Sequence, residues 1–335
     1  MLPSKELERP SERSNERERS RPRWRLARHS SRSLIVVGMV PVEQILSMQL
    51  LIAAVVLSSI YILMALGLNL VYGTMRLLNV AHGELMMIGG YVSYWIFTLT
   101  GVGTLVSMFA ATALTAAIGA LFYAVIFRPL SRKPALAARL EANSMIVFFG
   151  VSIVIQNLMS LAFESDPRSY VYLDGLVELA GGRVEANRLV ILAIGLAVTL
   201  ACVLFFRFGR LGLAARALIQ NRDAAMLIGI DPDKINLLVF CLGFGLAGLS
   251  GSLISMTEAI TPFGGFPYTI AAFIVIILGG LGNLVGGMLG GAILAFIEVY
   301  GVALTSSAYR SILIYGVFIA ILSLRPQGLL GRKTS

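Results

Sequence analysis

Residues 49–72, QLLIAAVVLSSIYILMALGLNLVY, run for 24 positions without one Asp, Glu, Lys or Arg. At about 1.5 Å per residue, a helix of that length reaches roughly 36 Å, more than the ~30 Å hydrocarbon core of a bilayer. Backbone in lipid must satisfy its own hydrogen bonds, so the run is read as a membrane-crossing helix. Comparable windows recur at 80–100, 105–127, 144–163, 189–206, 235–256, 268–302 and 308–324. With 57% hydrophobic and 13% charged residues among 335, there is no room for a sizeable soluble domain. The expected fold is all-α: a polytopic transmembrane helical bundle of eight or nine membrane segments.

The window 268–302 is too long for one simple span. The run Gly279-Gly280-Leu281-Gly282-Asn283 interrupts it, which predicts a broken or re-entrant glycine-rich helix, or a tight helical hairpin. Gly286-x-x-x-Gly290 and Gly287-x-x-x-Gly291 then offer small-residue faces for close helix packing. Gly243, Gly245, Gly248 and Gly251 form a similar stripe. The first three satisfy G-x-G-x-x-G, but they lie inside a continuous apolar helix with no acid about 20 residues on to hold a ribose, which excludes a dinucleotide site.

Charge sets an expected orientation. The net charge of +9 does not point to nucleic acid, because residues 1–32 hold ten Lys/Arg and five Asp/Glu, leaving 17 basic and 13 acidic residues, +4, for the remainder. The 128–143 loop (Arg128, Arg132, Lys133, Arg139), the loop 207–234 and the C-terminus (Arg325, Arg332, Lys333) are basic and expected in the cytoplasm. The loop 164–188 carries five acids against three Arg and falls outside by parity. By the same count the 49–72 span starts outside, against the strongly basic tail before it. Either the 80–100 segment is re-entrant and the tail stays inside, or residues 1–40 are a disordered tail from a mis-assigned start, with Met39 or Met48 as the working one; the Ser/Arg/Glu repetition favours the second. The working domain is then 41–331, in a multi-pass membrane protein. Intact mass distinguishes the two.

Within the polar loop Arg207–Lys234, Asn221 is placed to cap a helix, Asp223 sits in its first turn, and Gly229 falls where helices stop. The predicted helix, Arg222–Ile228, gathers Ala224, Leu227 and Ile228 on one face flanked by Arg216, Arg222 and Lys234. Asp231-Pro232-Asp233 launches the next apolar segment. The small apolar face fits a docking handle for another protein, or a contact with the membrane interface or with its own bundle.

Polar groups inside apolar windows are few. Asn69, Asn79, His82 and Glu84 cluster where the first two windows join, and Glu298 lies deep in its segment. A carboxylate at membrane depth costs roughly 2.5–3.5 kcal/mol on insertion scales unless it finds a partner or a wet cavity. These five are candidates for a gate or wall of a translocation path; for Asn79, His82 and Glu84 the alternative is helix capping and helix contact. They are too few for a proton or sodium relay. Cys202 and Cys241 lie in apolar segments and read as packing. No metal cluster, hydrolytic constellation or G-x-x-x-x-G-K-[ST] phosphate loop exists, so no catalytic or cofactor site is expected and any ATP must be bound by a partner.

The stretches GLNLVYGTMRLLNVAHGELMMIGGY (67–91), RALIQNRDAAMLIGID (216–231) and ILGGLGNLVGGMLGGAILAFIE (277–298) resemble the LivH-type branched-chain amino acid permease family of ABC importers, over about residues 48–331. The resemblance implies a bacterial inner-membrane permease without its own ATPase. Its partners would be a second related permease, two cytoplasmic ATP-binding subunits that hold ATP and Mg, and an external solute-binding protein. It also implies that the short helix contacts the ATPase: the importer pattern E-A-A-x-x-x-G maps onto Asp223, Ala224, Ala225 and Gly229, with Asp for Glu and without the downstream I-x-L-P. Permeases for urea and short-chain amides are similar, so they stand as the alternative substrates; an ion-coupled secondary transporter is the alternative of a different class.

Overall fold

The computed structural model describes residues 48–132, 140–179, 182–325 and 327–330. The tail 1–40, with both accounts of it, lies outside the described residues. Helix α1 (Met48–Met75) is followed by α2 (His82–Thr100) and α3 (Thr104–Phe122). The last continues through a π-helical turn, Tyr123–Phe127, into a final turn at Arg128–Arg132. Then come α4 (Leu140–Phe163), a hairpin of β1 (Leu176–Leu179) and β2 (Gly182–Glu185), and α5 (Ala186–Phe208). Two short helices, α6 (Arg210–Gln220) and α7 (Arg222–Leu227), precede α8 (Pro232–Ile254), α9 (Gly265–Gly279), α10 (Leu284–Leu304) and α11 (Arg310–Leu324).

Among the described residues seven helical segments are long and apolar enough to cross a membrane: α1, α3 with its extension, α4, α5, α8, α10 and α11 with the turn before it. The window 80–100 and the first part of 268–302 give helices of a different kind. Polar His82 and Glu84 and three glycines make α2 less apolar, and α9, at 15 residues, is shorter than a bilayer requires. The break in window 268–302 is a turn between α9 and α10: Gly280 and Gly282 adopt φ of 103° and 76°, where a side chain would be strained. Asn283 caps α10 by accepting from Gly286 N–H at 3.0 Å.

Helices α1 and α8 form the centre. Small residues let backbones approach without intervening side chains: a Cβ at Gly243 would lie 2.7 Å from the Gly67 carbonyl oxygen, and one at Gly251 only 1.7 Å from that of Met86. The Gly286–Gly291 stripe likewise packs α10 on α9 and α1, with a Cβ at Gly286 falling 2.1 Å from Gly279 O. In contrast α11 buries no residue, and α4 only Ser144, Phe148 and Ser152. Their outward faces are apolar, as for helices set against lipid or another membrane subunit.

Side-chain contacts sort the loops into two ends. Arg128 pairs with Asp233 at 3.2 Å, Tyr72 donates to Glu141, Ile219 lies by Gly73, and Asn283 Nδ2 donates to Leu330 O. At the opposite end Gln49 reaches Arg183 O, Thr104 and Ser255 share Tyr170 OH at 2.7 and 2.9 Å, and Asn187 donates to Met256 O. Burial raises the Tyr170 phenol above its ordinary value, so it stays a neutral hydroxyl clamping three segments. The three loops expected to be cytoplasmic thus have members at one end and the acidic loop at the other. The segment that ends in α2 runs from one end to the other, with Leu78 N–H bonded to Ser144 Oγ before the helix starts and Phe97 ring-packed on Tyr170 near its finish, so it does not double back. The start of α1 lies with the acidic loop.

Candidate functional site

The loop 207–234 contains one helix more than its composition suggested. Its first half is α6, an 11-residue amphipathic helix that buries Gly212, Ala215 and Leu218 and exposes Leu211 and Leu213. Small and apolar residues at 212, 215 and 218 carry the helical period that a reading focused on polarity passes over. Helix α7 follows at the expected place. Asn221 Oδ1 accepts from Ala224 N–H at 3.0 Å, the helix ends at Leu227, and Gly229 turns the chain with φ of 86°. Ala225 is buried under the bundle, whereas Leu227 is 89% exposed and Ile228 76%. These two large aliphatic side chains project beside exposed Asp223 and Ala224. Arg216 is elsewhere: its Nη2 donates to Arg207 O at 2.9 Å, closing the end of α5, and Lys234 pairs with Asp231.

A second group of predicted residues meets where α2 starts. Asn79, His82 and Glu84 are all buried. Asn79 Oδ1 accepts from Ala81 N–H at 3.0 Å, which stabilises the turn into α2, although the residue preceding the helix is Ala81. His82 Nε2–H donates to Met64 O at 3.1 Å, which fixes its tautomer and ties α2 to the middle of α1. Glu84 Oε1 accepts from Gln156 Nε2 at 2.7 Å and Ser152 Oγ at 3.1 Å, both on α4, while Oε2 has no hydrogen-bond partner among the described residues. That oxygen faces Gly265, the first residue of α9; a Cβ there would be 2.5 Å from it. The starts of α2 and α9 therefore touch inside the bundle, with a Cβ at Gly83 falling 1.9 Å from Gly265 O. Gly83 N–H donates to Thr269 at 2.8 Å.

Asn69 lies apart from these, bracing the α9–α10 turn through Gly282 N–H (3.1 Å) and Asn283 O (3.2 Å). Glu298 has the partner its depth requires: Tyr61 OH donates to Oε2 at 2.6 Å, and Arg310 Nε bonds Oε1. Glu298 is 3% exposed and the Arg310 side chain 38%. Sequence reasoning named Glu298 but missed Tyr61, Arg310, Ser152 and Gln156. The spacing of Ser152 and Gln156, four residues apart on one face, was a legible signal; the Glu298–Arg310 pairing needed the α10–α11 hairpin.

The sequence model of the family described as branched-chain amino acid transport system, permease component, matches residues 50–322. The chain is 32% identical to the high-affinity branched-chain amino acid transport system permease protein LivH of Salmonella typhimurium over 300 residues, 85% of this chain and 96% of that one. Against the corresponding BraD protein of Pseudomonas aeruginosa it is 32% identical, with the same coverage. The chain belongs to the branched-chain amino acid permease family. A more distant relative is the LivM permease protein of Salmonella typhimurium, 25% identical over 82% of this chain and 68% of that one. No solved structure matches. As a member of a transport-system permease family, the chain is a multi-pass membrane transport component; its polar groups, dispersed on packed helices, suit a permease better than a catalytic centre.

Proposed function

We propose that this permease is the membrane subunit of an ATP-driven importer that moves branched-chain amino acids across the bacterial inner membrane. The observation that carries the reading is the exposed pair Leu227–Ile228 at the end of a capped helix, on the end of the bundle that carries the basic loops, in a chain similar over 85% of its length to LivH and BraD. Two aliphatic side chains that exposed are costly in water and gain by entering a groove on a partner. The partners are two cytoplasmic ATPase subunits that bind ATP and Mg, a second permease of the same family, and an external solute-binding protein. The C-terminus lies in the cytoplasm with the 128–143 and 207–234 loops, and the membrane segments are the seven long helices together with α2 and α9, the two that begin inside the bundle.

Closure of the ATPases on ATP moves α7. Its neighbour α6 transmits that movement to α1 through the Ile219–Gly73 contact, and α7 itself passes it to α8 through the short link at Ile230–Asp231. Because α1, α2 and α8 meet backbone to backbone, they move as a packed unit and alternate the opening between the two faces. The test is affinity purification followed by reconstitution. Co-isolation of an ATPase pair and a second permease, with leucine uptake that requires ATP, supports the importer. A lone homo-oligomer driven by an ion gradient refutes it, and uptake of urea or short amides in place of leucine moves the substrate assignment. Ala224→Glu and Gly229→Val each leave the chain in the membrane and abolish uptake; normal uptake by both removes the docking role.

A further inference from the structure

Between the β1–β2 hairpin, the start of α1 and the start of α5 lies an open cavity of ≈ 400 Å³. That volume falls within the range of small-ligand sites, about 300–1,000 Å³. Ile52, Leu176 and Val184 give it an apolar side, and Gln49, Arg183, Glu185 and Arg188 a polar one. Helix length sets its depth. Helices α1 and α5 have 28 and 23 residues, roughly 42 and 35 Å, against a hydrocarbon core of about 30 Å. Each overshoots the core by a few ångströms at its ends, so Gln49 and Arg188, the second and third residues of their helices, fall at headgroup level. Ile52, three residues after Gln49 and on the same face, lies nearly one turn closer to the hydrocarbon. The cavity therefore spans the boundary between acyl chains and phosphates, in the leaflet at the acidic-loop end.

The polar side has hydrogen-bonding capacity to spare. Arg188 Nε donates to Glu185 Oε2 at 3.1 Å, and Arg183 Nε lies 3.6 Å from Glu178 Oε1. The Nη groups of both arginines have no hydrogen-bond acceptor among the described residues. The Arg183–Glu178 pair holds little, since its side chains are 71% and 80% exposed. Two arginines against one glutamate leave the lining with a net charge of +1. The start of α5 adds no free donors from its first turn: Ala186 and Asn187 N–H already donate to Gly175 O at 2.8 Å and Leu173 O at 2.9 Å. What remains is a pair of guanidinium forks, whose planar donors match the oxygens of a phosphate. A phosphodiester carries the complementary single negative charge, and in a phospholipid the acyl chains leave from its glycerol toward the hydrocarbon.

We propose that this cavity holds one phospholipid of that leaflet, its phosphodiester between Arg183 and Arg188 and its glycerol and first acyl carbons against Ile52, Leu176 and Val184. A free phosphate ester would satisfy the arginines and leave the apolar side in water; a lipid satisfies both. The lipid also fastens the hairpin, which among the described residues is joined to α1 by one long side-chain hydrogen bond, Gln49 Nε2 to Arg183 O at 3.4 Å.

The experiment is native mass spectrometry of the full chain, delipidated in detergent and titrated with dioleoylphosphatidylglycerol. The parent takes up one lipid ahead of weaker, graded additions. Arg183→Gln combined with Arg188→Gln raises the Kd of that first lipid about tenfold, the size of one charge-assisted contact after screening. Arg183→Lys combined with Arg188→Lys keeps the charge and stays within about threefold of the parent. Leu176→Glu, at a position 62% exposed, sets a carboxylate against the phosphate and also weakens the first lipid about tenfold. It leaves the Arg188–Glu185 pair intact, so it reads the cavity even where loss of that pair loosens the loop. Arg222→Gln, at the other end of the bundle, changes the first Kd by less than about twofold. A first-lipid Kd that is unchanged in both Leu176→Glu and the double Arg→Gln variant overturns the inference, as does a parent that shows graded addition alone. Displacement of the lipid by millimolar sn-glycerol 3-phosphate overturns the lipid assignment in favour of a free phosphate ester.

Discussion

Gly251→Ala adds one methyl group to α8 where it crosses α2, and it is expected to destabilise the permease about as much as a large core truncation does. The new Cβ would lie 1.7 Å from Met86 O and 2.5 Å from the Met86 carbonyl carbon. Non-bonded carbon contacts are comfortable at about 3.5 Å, so the helices must part by roughly 1.5 Å, and a gap of even ~1 Å forfeits up to about half of each dispersion contact along the seam. The obstacle is backbone, which cannot rotate away as a side chain would. The cost therefore sits at or above the top of the overpacking range, about 3 kcal/mol. At about 2–4 °C per kcal/mol, the melting temperature falls by roughly 6–12 °C. Gly316 in α11, which has no atom within 4 Å of its Cβ position, is the internal control. There Gly316→Ala gains up to about 1 kcal/mol of helix propensity and does not lower the melting point. Thermal unfolding of the isolated chain in one detergent, followed by loss of the monomer peak on size-exclusion chromatography, reads both. A Gly251→Ala protein melting within about 2 °C of the parent refutes the close-packing argument, as does an equal loss in Gly316→Ala.

The same assay tests other contacts. Asn69→Ala removes both side-chain bonds to the α9–α10 turn and leaves Gly282 N–H without its acceptor, while Asn283 O keeps Gly287 N–H; a loss of about 2 kcal/mol is expected, and an unchanged melting point would show that the turn holds itself. Arg310→Gln strands the buried Glu298 carboxylate and costs about 3 kcal/mol, whereas Arg310→Gln combined with Glu298→Gln costs less than the single change; a double variant weaker than either single one contradicts this account. Leu227→Asp with Ile228→Asp leaves stability within about 0.5 kcal/mol, since both side chains project from the bundle, yet removes the ATPase from the purified complex; retained ATPase sinks the handle.

Much of the site was legible because its residues are anomalies in their surroundings. Asn221, Asp223 and Gly229 announce a helix in a polar loop by short-range capping chemistry, and α7 differs from the expected span only by one residue at its end. Glu298 was conspicuous because a carboxylate in an apolar window needs an explanation. Its explanation was not legible: Arg310 lies 12 residues on, past a turn, and Tyr61 is 237 residues away in the chain. Likewise Asn69 and Asn79 looked like one polar cluster with His82 and Glu84, yet the fold sends Asn69 to the α9–α10 turn. Adjacency in sequence put them together, and the length of α1 separated them.

The sequence by itself determined that the chain is a bundle of apolar helices, where most of them start and stop, and which end carries the basic loops. Those properties follow from hydrophobic runs, caps and charges, which act over one to four residues or over a whole span. Only the tertiary structure decided that α2 and α9 meet inside the bundle at Gly83 and Gly265, and that Glu84 presents an unpaired oxygen there. It alone brought Tyr61 and Arg310 onto the two oxygens of Glu298. These juxtapositions depend on how closely glycine-lined helices approach, which no local pattern encodes.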